Sequence, residues 1–399
     1  MEFTPATPVV SVMDGSLAAA FADVTDPRRT GSVVYPLPAV LTLVAAALLA
    51  GQTSVLAIAQ WAARQADAQR EAFGFPPGRT PCQTTLHRLL RNLEGTPLAA
   101  LQRATAAAPE PEPPAAPDPP VAPVLQGVAI DGKGHRGRLR RTGASYAKHA
   151  VCALEHTTGR VLAHAPLGPR PHLPPTELDA VPDLLAQLSW RGRVLTADSL
   201  YCQRTICQTV CAAGGDYLLP VTGNQPRLQA FVQACLTSDP SPRVGQTAWT
   251  EEAGHGRTQD RRELTLLPIA ANPLAWPGLA QVFRLVRTWQ AQGTSHQSVR
   301  YGITSLTPER ASAAQVLALR RGHWIIENAL HRQKDVLFRE DASQVHQGSA
   351  PAVLSLLRDA AITLLHLTGS RDLAARTRAL SQSPHQAFAL VCHPLPTRA

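Results

Sequence analysis

The sequence predicts a mixed α/β protein, in which a helical region precedes a sheet whose strands are joined partly by helices. Before residue 106, apolar residues recur three and four positions apart, as they do on the buried face of a helix. From Val124 onward, short runs of β-type residues alternate with turn residues and helical stretches. The segment between them is nearly all Pro, Ala, Glu and Asp, which is typical of a semi-rigid linker. We therefore expect a helical domain at 1–105, a linker at 106–123, an α/β domain at 124–370 and a loosely ordered tail at 371–399.

The helical region contains the most apolar stretch of the chain. Leu37 to Ala50 is shorter than the ~20 residues that span a bilayer, so we interpret it as a core helix. Thr84 to Leu93 is a second predicted helix, with apolar residues three and four apart. Its arginines are compatible both with DNA contacts and with an ordinary solvated helix face.

The overall charge favours an anionic partner. The 399 residues carry a formal charge of +9, although a basic protein without such a partner has the same composition. Hydrophobic residues make up 44% of the chain, enough for a sizeable core. The seven cysteines are scattered without a Cys-x-x-Cys pair, so we interpret them as buried apolar residues and not as zinc ligands. Their odd number, with no signal peptide, predicts a reducing cytoplasm.

The first part of the α/β domain predicts a particular strand order. Three strands come in succession, at Val124 to Asp131, Tyr146 to Glu155 and Arg160 to Leu167. A helix from Thr176 to about Leu188, a strand at Arg193 to Ala197, a helix at Leu200 to Ala213 and a strand at Asp216 to Val221 follow. This β-β-β-α-β-α-β order is that of the ribonuclease H-like fold, in which the first and fourth strands lie side by side. Asp131 and Asp198, which end those two strands, should therefore be neighbours.

The chain changes character between about residues 223 and 306, where we expect a β-rich insertion. Its predicted strands are Thr247 to Glu252, Arg262 to Pro268, Gln281 to Thr288 and Val299 to Leu306. Helical stretches are predicted after the insertion, at Ala311 to Arg321, His323 to Val336 and Ser349 to Leu367.

Three carboxylates stand out as candidates for divalent-metal chemistry, namely Asp131, Asp198 and Glu327. Magnesium prefers hard oxygen ligands, and converging carboxylates that hold it can support phosphodiester cleavage. Each residue also has a structural interpretation. Asp198 is well placed to cap a helix before Leu200, and Glu327 could form a surface pair with Lys334. The sequence contains no Walker-type phosphate loop and no convincing Ser/His/Asp arrangement.

Basic residues accompany these carboxylates. Lys133, Arg136, Arg138, Arg140 and Arg141 follow Asp131 and could meet a DNA backbone, or form a solvated charge run. His323 and Lys334 lie four residues before and seven residues after Glu327. On an α-helix these positions share one face, so we expect both to contact DNA near the metal.

Several motifs together resemble the H-repeat-associated transposases of bacterial insertion sequences, which belong to the DDE transposases. They are Ala129-Ile130-Asp131-Gly132-Lys133, Thr196-Ala197-Asp198, Gly223-Asn224-Gln225, His255-Gly256-Arg257, and the run from His323-Trp324 through Ile326-Glu327-Asn328 and Leu330-His331 to Phe338-Arg339-Glu340-Asp341. Asp26-Pro27-Arg28, Tyr35-Pro36-Leu37 and Ile58-Ala59-Gln60-Trp61 resemble the N-terminal region of the same family. The likeness extends from about residue 17 to residue 367.

The resemblance implies a ribonuclease H-like catalytic core with a β-rich insertion and a metal-binding triad of Asp131, Asp198 and Glu327. It implies Mg²⁺, or Mn²⁺, as the cofactor and double-stranded DNA as the partner, both at the element's inverted repeats and at the target. It also implies a homodimer on paired ends, no membrane, and a helical domain that binds DNA ends or dimerises. Thr222 and Arg332 depart from the family pattern, and a catalytically decayed or domesticated DNA-binding relative is the alternative function.

Overall fold

The computed structural model describes residues 10–29, 31, 33–93, 125–134, 149–167, 176–237, 245–254, 257–291 and 293–394. They form a mixed α/β molecule with one large sheet and many helices, which confirms the predicted fold class at that level. The predicted linker at 106–123 lies outside the described residues.

The described strands form one nine-stranded sheet in the order β3-β2-β1-β4-β5-β9-β8-β7-β6. The strands are β1 Gln126–Gly134, β2 His149–Glu155, β3 Val161–Pro166, β4 Arg193–Thr196, β5 Asp216–Val221, β6 Gln246–Gly254, β7 Arg257–Pro268, β8 Gln281–Ala291 and β9 Thr294–Thr304. Strand β1 pairs in parallel with β4 and β4 with β5, whereas the other neighbours are antiparallel. The predicted pairing of the first and fourth strands is therefore confirmed.

The central strands are buried on both faces. Val128, Ala129 and Ile130 are consecutive in β1 and all are buried, as is every residue of β4 and β5. Continuous apolar runs of this kind are typical of strands covered on both sides. The buried run of β1 stops at Ile130, directly before Asp131, and β4 ends at Thr196, two residues before Asp198.

The region predicted as a β-rich insertion extends the same sheet. Strand β9 pairs with β5 through Leu218↔Thr304 to Val221↔Tyr301, and β8, β7 and β6 follow outward. The insertion begins with a helix, Pro226–Thr237, that the sequence analysis did not predict.

The helices, numbered along the chain, are α1 Leu17–Ala20, α2 Leu37–Leu49, α3 Val55–Ala63, α4 Asp67–Ala72, α5 Gln83–Leu90, α6 Glu177–Ala186, α7 Arg204–Ala212, α8 Pro226–Thr237, α9 Ala313–Gly322, α10 Arg332–Val336, α11 Ala350–Leu367, α12 Leu373–Gln382 and α13 Pro384–Cys392. A π-helical segment, Ile326–His331, runs directly into α10.

The N-terminal helices share one hydrophobic cluster with the C-terminal helices. Helix α2 is buried along almost its whole length, as expected of a core helix, and it packs against α11 and α13. The same cluster includes Ala129 and Leu154 of the sheet and Ile326 of the π-helical segment. The helices before residue 94 therefore do not have a core of their own in this structure.

The expectation of a loosely ordered tail at 371–399 is wrong for its described part. Residues 373–392 form α12 and α13, and Asp372 caps α12 by accepting a hydrogen bond from the Ala375 amide at 2.9 Å. Leu380, Phe388 and Val391 are buried. The apolar residues of the tail pack against the N-terminal helices. This packing cannot be predicted from the sequence of the tail alone.

Among the described residues, one helix has the length and composition of a membrane span. This helix is α11, and 83% of its apolar window is buried inside the molecule. It packs against α2 on one side and β3 on another.

Candidate active site

Adjacent parallel strands bring Asp131 and Asp198 to the same level of the sheet. In the register of β1 and β4, Ala129 lies opposite Thr196, so the positions two residues further on are Asp131 and Asp198. Asp198 also caps the short 3₁₀ turn after β4, because its Oδ1 accepts a hydrogen bond from the Leu200 amide at 2.8 Å. Asp198 therefore both caps this turn and lies beside Asp131.

The π-helical segment brings Glu327 to Asp131 through a histidine. The Nδ1 atom of His331 lies 3.3 Å from Glu327 Oε2 and 3.6 Å from Asp131 Oδ2. One potential ligand atom from each of the three residues lies within 4.8 Å of the other two. Asp198 is not part of this close group, although its charge acts on Asp131.

The electrostatics of Asp131 suit a cation at this position. Burial raises the pKa of Asp131 to about 6, against the opposing effects of His331 and of the Gly132 amide. The charges of Asp198 and Glu177 raise the pKa further. A divalent cation would offset both the burial and the repulsion, since an opposite charge stabilises the ionised carboxyl group. The donors present therefore fit a divalent metal.

A fourth carboxylate, that of Glu177, lies beside the predicted triad. Glu177 is the first residue of α6, whose start is fixed by a capping box between Thr176 and Asp179. Its Oε2 accepts a hydrogen bond from the buried Tyr201 hydroxyl at 2.8 Å. A Cβ atom on Gly132 would fall 2.0 Å from the Glu177 Cδ atom, so the carboxylate lies directly over the backbone of β1. The sequence analysis did not assign Glu177, although its place at a capped helix start after the third strand was visible.

Lys133 lies near the site but is engaged with the protein. Its side chain is buried, and its Nζ lies 2.6 Å from Asp335 Oδ2 on α10. This ion pair ties β1 to the helix that continues from Glu327. In this structure Lys133 thus makes a contact within the protein, and the DNA contact expected of it stays a prediction.

Lys334 does not face DNA in this structure. Its side chain is only 1% exposed, and its Nζ lies 2.7 Å from Asp359 Oδ1 on α11 and 3.7 Å from Glu340 Oε2. Burial alone would lower the pKa of Lys334, but the two carboxylates raise it above its ordinary value. A π-helix forms i to i+5 hydrogen bonds, so the face shared by residues seven apart in an α-helix is lost across this segment. The structure thus places Lys334 away from the surface, and the phosphate contact expected of it stays a prediction.

His323 is also inside the protein. Its Nδ1 lies 3.4 Å from the Thr196 hydroxyl oxygen, which in turn lies 2.8 Å from His156 Nε2. Burial, together with the neighbouring Arg320, lowers the pKa of His323 to about 3, so the ring is neutral at pH 7. The structure thus places His323 inside the protein as a neutral ring, and the DNA contact expected of it stays a prediction.

The remaining predicted DNA contacts, Arg136, Arg138, Arg140 and Arg141, lie outside the described residues. So do His255 and Gly256 of the insertion.

Two family models match this chain. Residues 18–104 match a model described as "DDE_Tnp_1-associated", and residues 123–364 match one described as "Transposase DDE domain". The second match covers more than half of the chain and contains Asp131, Asp198, Glu327 and His331.

Curated proteins from bacteria are also similar to this chain. The chain is 30% identical over 247 residues to "Putative transposase YncI" of Escherichia coli O157:H7, an alignment that covers 60% of this chain and 61% of that protein. It is 29% identical over 249 residues to "H repeat-associated putative transposase YhhI" of Escherichia coli (strain K12), covering 60% of this chain and 63% of that protein. The chain thus spans about three fifths of the length of the curated relatives that it matches.

Proposed function

The chain belongs to the family of proteins with a transposase DDE domain, and from this membership we propose that it is a transposase that acts on an insertion sequence. In this proposal it binds the ends of the element, cleaves DNA phosphodiesters there and joins the ends to a target. The observation that carries the proposal is the approach of Asp131, Glu327 and His331 to within 4.8 Å, with Asp198 two residues after the neighbouring strand β4.

We propose that Asp131, Asp198 and Glu327 are the carboxylates that hold the divalent metal. Mg²⁺ or Mn²⁺, when bound, supplies Lewis-acid activation of the phosphate and of the attacking oxygen. The strand register fixes Asp131 and Asp198, because backbone hydrogen bonds on both sides hold β1 in place. Glu327 is brought in by the π-helical segment, whose buried Ile326, Ala329 and Leu330 anchor it in the core.

The DNA would approach the end of β1 at Gly134, close to the proposed metal site. We propose that Arg136, Arg138, Arg140 and Arg141 bind its phosphates, because they follow Asp131 and Lys133 directly in the chain. The region at 1–105, which includes the separate family match at 18–104, is proposed to bind DNA ends or to dimerise. A homodimer that pairs two element ends in the cytoplasm is the corresponding assembly.

Substitution of Asp131 tests the proposal directly. Purified protein, Mg²⁺ and a plasmid that carries the element's ends should give nicked or excised DNA. Asp131→Asn keeps the shape of the side chain but removes its charge, so the products should fall below detection while DNA binding persists. The measurement is gel quantification of the products, with band shifts of an end fragment for binding.

The exposed Asp183 of α6 offers a matched control. Asp183→Asn removes one carboxylate charge away from the metal site and should leave both products and binding unchanged. Equal cleavage by the Asp131→Asn variant and the unsubstituted protein would exclude the assigned role of Asp131. Binding by the unsubstituted protein without any cleavage would instead identify a non-catalytic relative that binds element ends.

A further inference from the structure

His331 has an unusual position for a residue outside the predicted triad. The residue is 4% exposed, and Nδ1 is the atom that faces both Asp131 and Glu327. The 3.3 Å separation from Glu327 is a long hydrogen bond, and the 3.6 Å separation from Asp131 is too long for one. One N–H group at Nδ1 could in any case serve only one of the two carboxylates well.

The two separations from His331 Nδ1 are close to those between neighbouring ligands of one ion. Bonds from a small divalent cation to oxygen or nitrogen are about 2.1 Å long, so two ligands at right angles lie roughly 3 Å apart. The two separations from Nδ1 exceed this value by only a few tenths of an ångström. Small rotations of the Glu327 and Asp131 side chains would therefore complete a set of two oxygens and one nitrogen.

We propose that His331 is a nitrogen ligand of the metal centre, so that the centre favours a first-row transition cation such as Mn²⁺ over Mg²⁺. This inference rests on the proposed function, because it concerns the same metal site. Mg²⁺ prefers oxygen donors and keeps much of its water, whereas imidazole suits first-row transition metals. The imidazole therefore adds more to the binding of Mn²⁺ than to the binding of Mg²⁺.

The arrangement of the chain supports a role beyond packing for His331. Its Nδ1 points out of the core toward two carboxylates, while its neighbours Ala329 and Leu330 point into the hydrophobic cluster. His331 and Glu327 are four residues apart in the π-helical segment, and both reach Asp131 on β1. The π-helical segment thus provides two of the three donors, Glu327 and His331, and strand β1 provides the third, Asp131.

Pulsed electron paramagnetic resonance of the full chain loaded with Mn²⁺ tests the proposal. The unsubstituted protein should show the ¹⁴N modulation of a coordinated imidazole. His331→Gln should abolish this modulation and weaken Mn²⁺ binding by at least about tenfold, with a much smaller effect on Mg²⁺ binding. His393→Gln, at an exposed histidine, should leave the modulation and both affinities unchanged.

The outcomes separate this proposal from the proposed function. If Mn²⁺ binds, Asp131→Asn weakens it, and no ¹⁴N modulation is seen, His331 is not a ligand although the metal site stands. Modulation that survives in a folded His331→Gln protein also overturns the proposal, and His331→Asn provides a second variant should the first fail to fold. If Asp131→Asn leaves Mn²⁺ binding unaltered, the metal site of the proposed function itself is wrong.

Discussion

At the scale of single residues, Lys334 shows how position along a helix can mislead. The sequence places it seven residues after Glu327, which in an α-helix means the same face. The structure instead buries it among Asp359, Glu340 and the Ser355 hydroxyl, to which it donates a hydrogen bond at 2.7 Å. No local sequence feature distinguishes a π-helical turn from an α-helical one, so this outcome could not be predicted from the residues alone.

Replacing Lys334 should therefore destabilise the protein instead of weakening DNA binding selectively. Lys334→Met keeps most of the side-chain volume but leaves the carboxylates of Asp359 and Glu340 buried without their shared cation. Removal of one partner from a buried ion pair costs about 3–5 kcal/mol, and we expect a loss of that size in the free energy of unfolding. Urea denaturation followed by circular dichroism measures it.

Arg332 on the same helix provides the comparison, because its side chain is exposed. Arg332→Met should change the free energy of unfolding by less than about 0.5 kcal/mol. Lys334→Met with equally small effects on stability, but with weaker binding to DNA, would restore the phosphate contact first expected for Lys334.

The pairing of Asp131 and Asp198, by contrast, follows from the sequence. Each residue ends a continuous apolar run, and such runs predict central parallel strands whose ends meet at one edge of the sheet. The approach of Glu327 was expected only from its motif, and the contribution of Glu177 was not expected at all. Both depend on how α6 and the π-helical segment pack on the sheet, and this packing cannot be predicted from local sequence patterns.

At the scale of elements, α6 approaches β1 closely because residue 132 is glycine. A Cβ at that position would fall 2.0–2.4 Å from the Cδ and carboxylate oxygens of Glu177. The close approach keeps Glu177 beside Asp131 and within 2.8 Å of the Tyr201 hydroxyl. The space that Glu177 of α6 occupies thus explains why glycine follows the candidate metal ligand Asp131.

Gly132→Ala should displace the Glu177 carboxylate and remove the acceptor of the buried Tyr201 hydroxyl. A buried polar group without a partner costs about 1–3 kcal/mol, which is the loss we expect in the free energy of unfolding. Gly223→Ala is the control, because a Cβ there meets nothing within 4 Å.

A double-mutant cycle identifies the cause. In a Glu177→Ala background the added methyl group has room, so Gly132→Ala should then cost clearly less than it does alone. Strictly additive losses would show that Gly132 and Glu177 do not interact as the structure indicates.

At the scale of the whole molecule, the first and last parts of the chain form one helical core. Phe388 of α13 lies with its ring centroid 5.5 Å from that of Trp61 and 5.2 Å from that of Phe73. The Met13 amide donates a hydrogen bond to the Cys392 carbonyl at 2.8 Å, and Ser16 forms a bridge with Pro394. The sequence predicted the N-terminal helices but not α12 and α13, whose contacts with them join residues more than 300 positions apart.

Phe388→Ala should destabilise the whole protein, because it opens a cavity where the two ends of the chain meet. Losses for a buried phenylalanine are about 3–5 kcal/mol, and thermal unfolding should show a correspondingly lower midpoint. Gln386→Ala, at an exposed position of the same helix, should have little effect. A harmless Phe388→Ala substitution would support the loose tail that the sequence suggested.

This joining of the two ends has a consequence during synthesis. The ribosome completes α2 and α3 long before it makes α12 and α13, against which part of their apolar surface packs. At about 5–20 residues per second, the early helices wait on the order of half a minute for those partners. The nascent chain must be kept from aggregating over that interval. A message truncated before codon 373 yields a polypeptide without α12 and α13, so part of the apolar surface of its N-terminal helices stays uncovered.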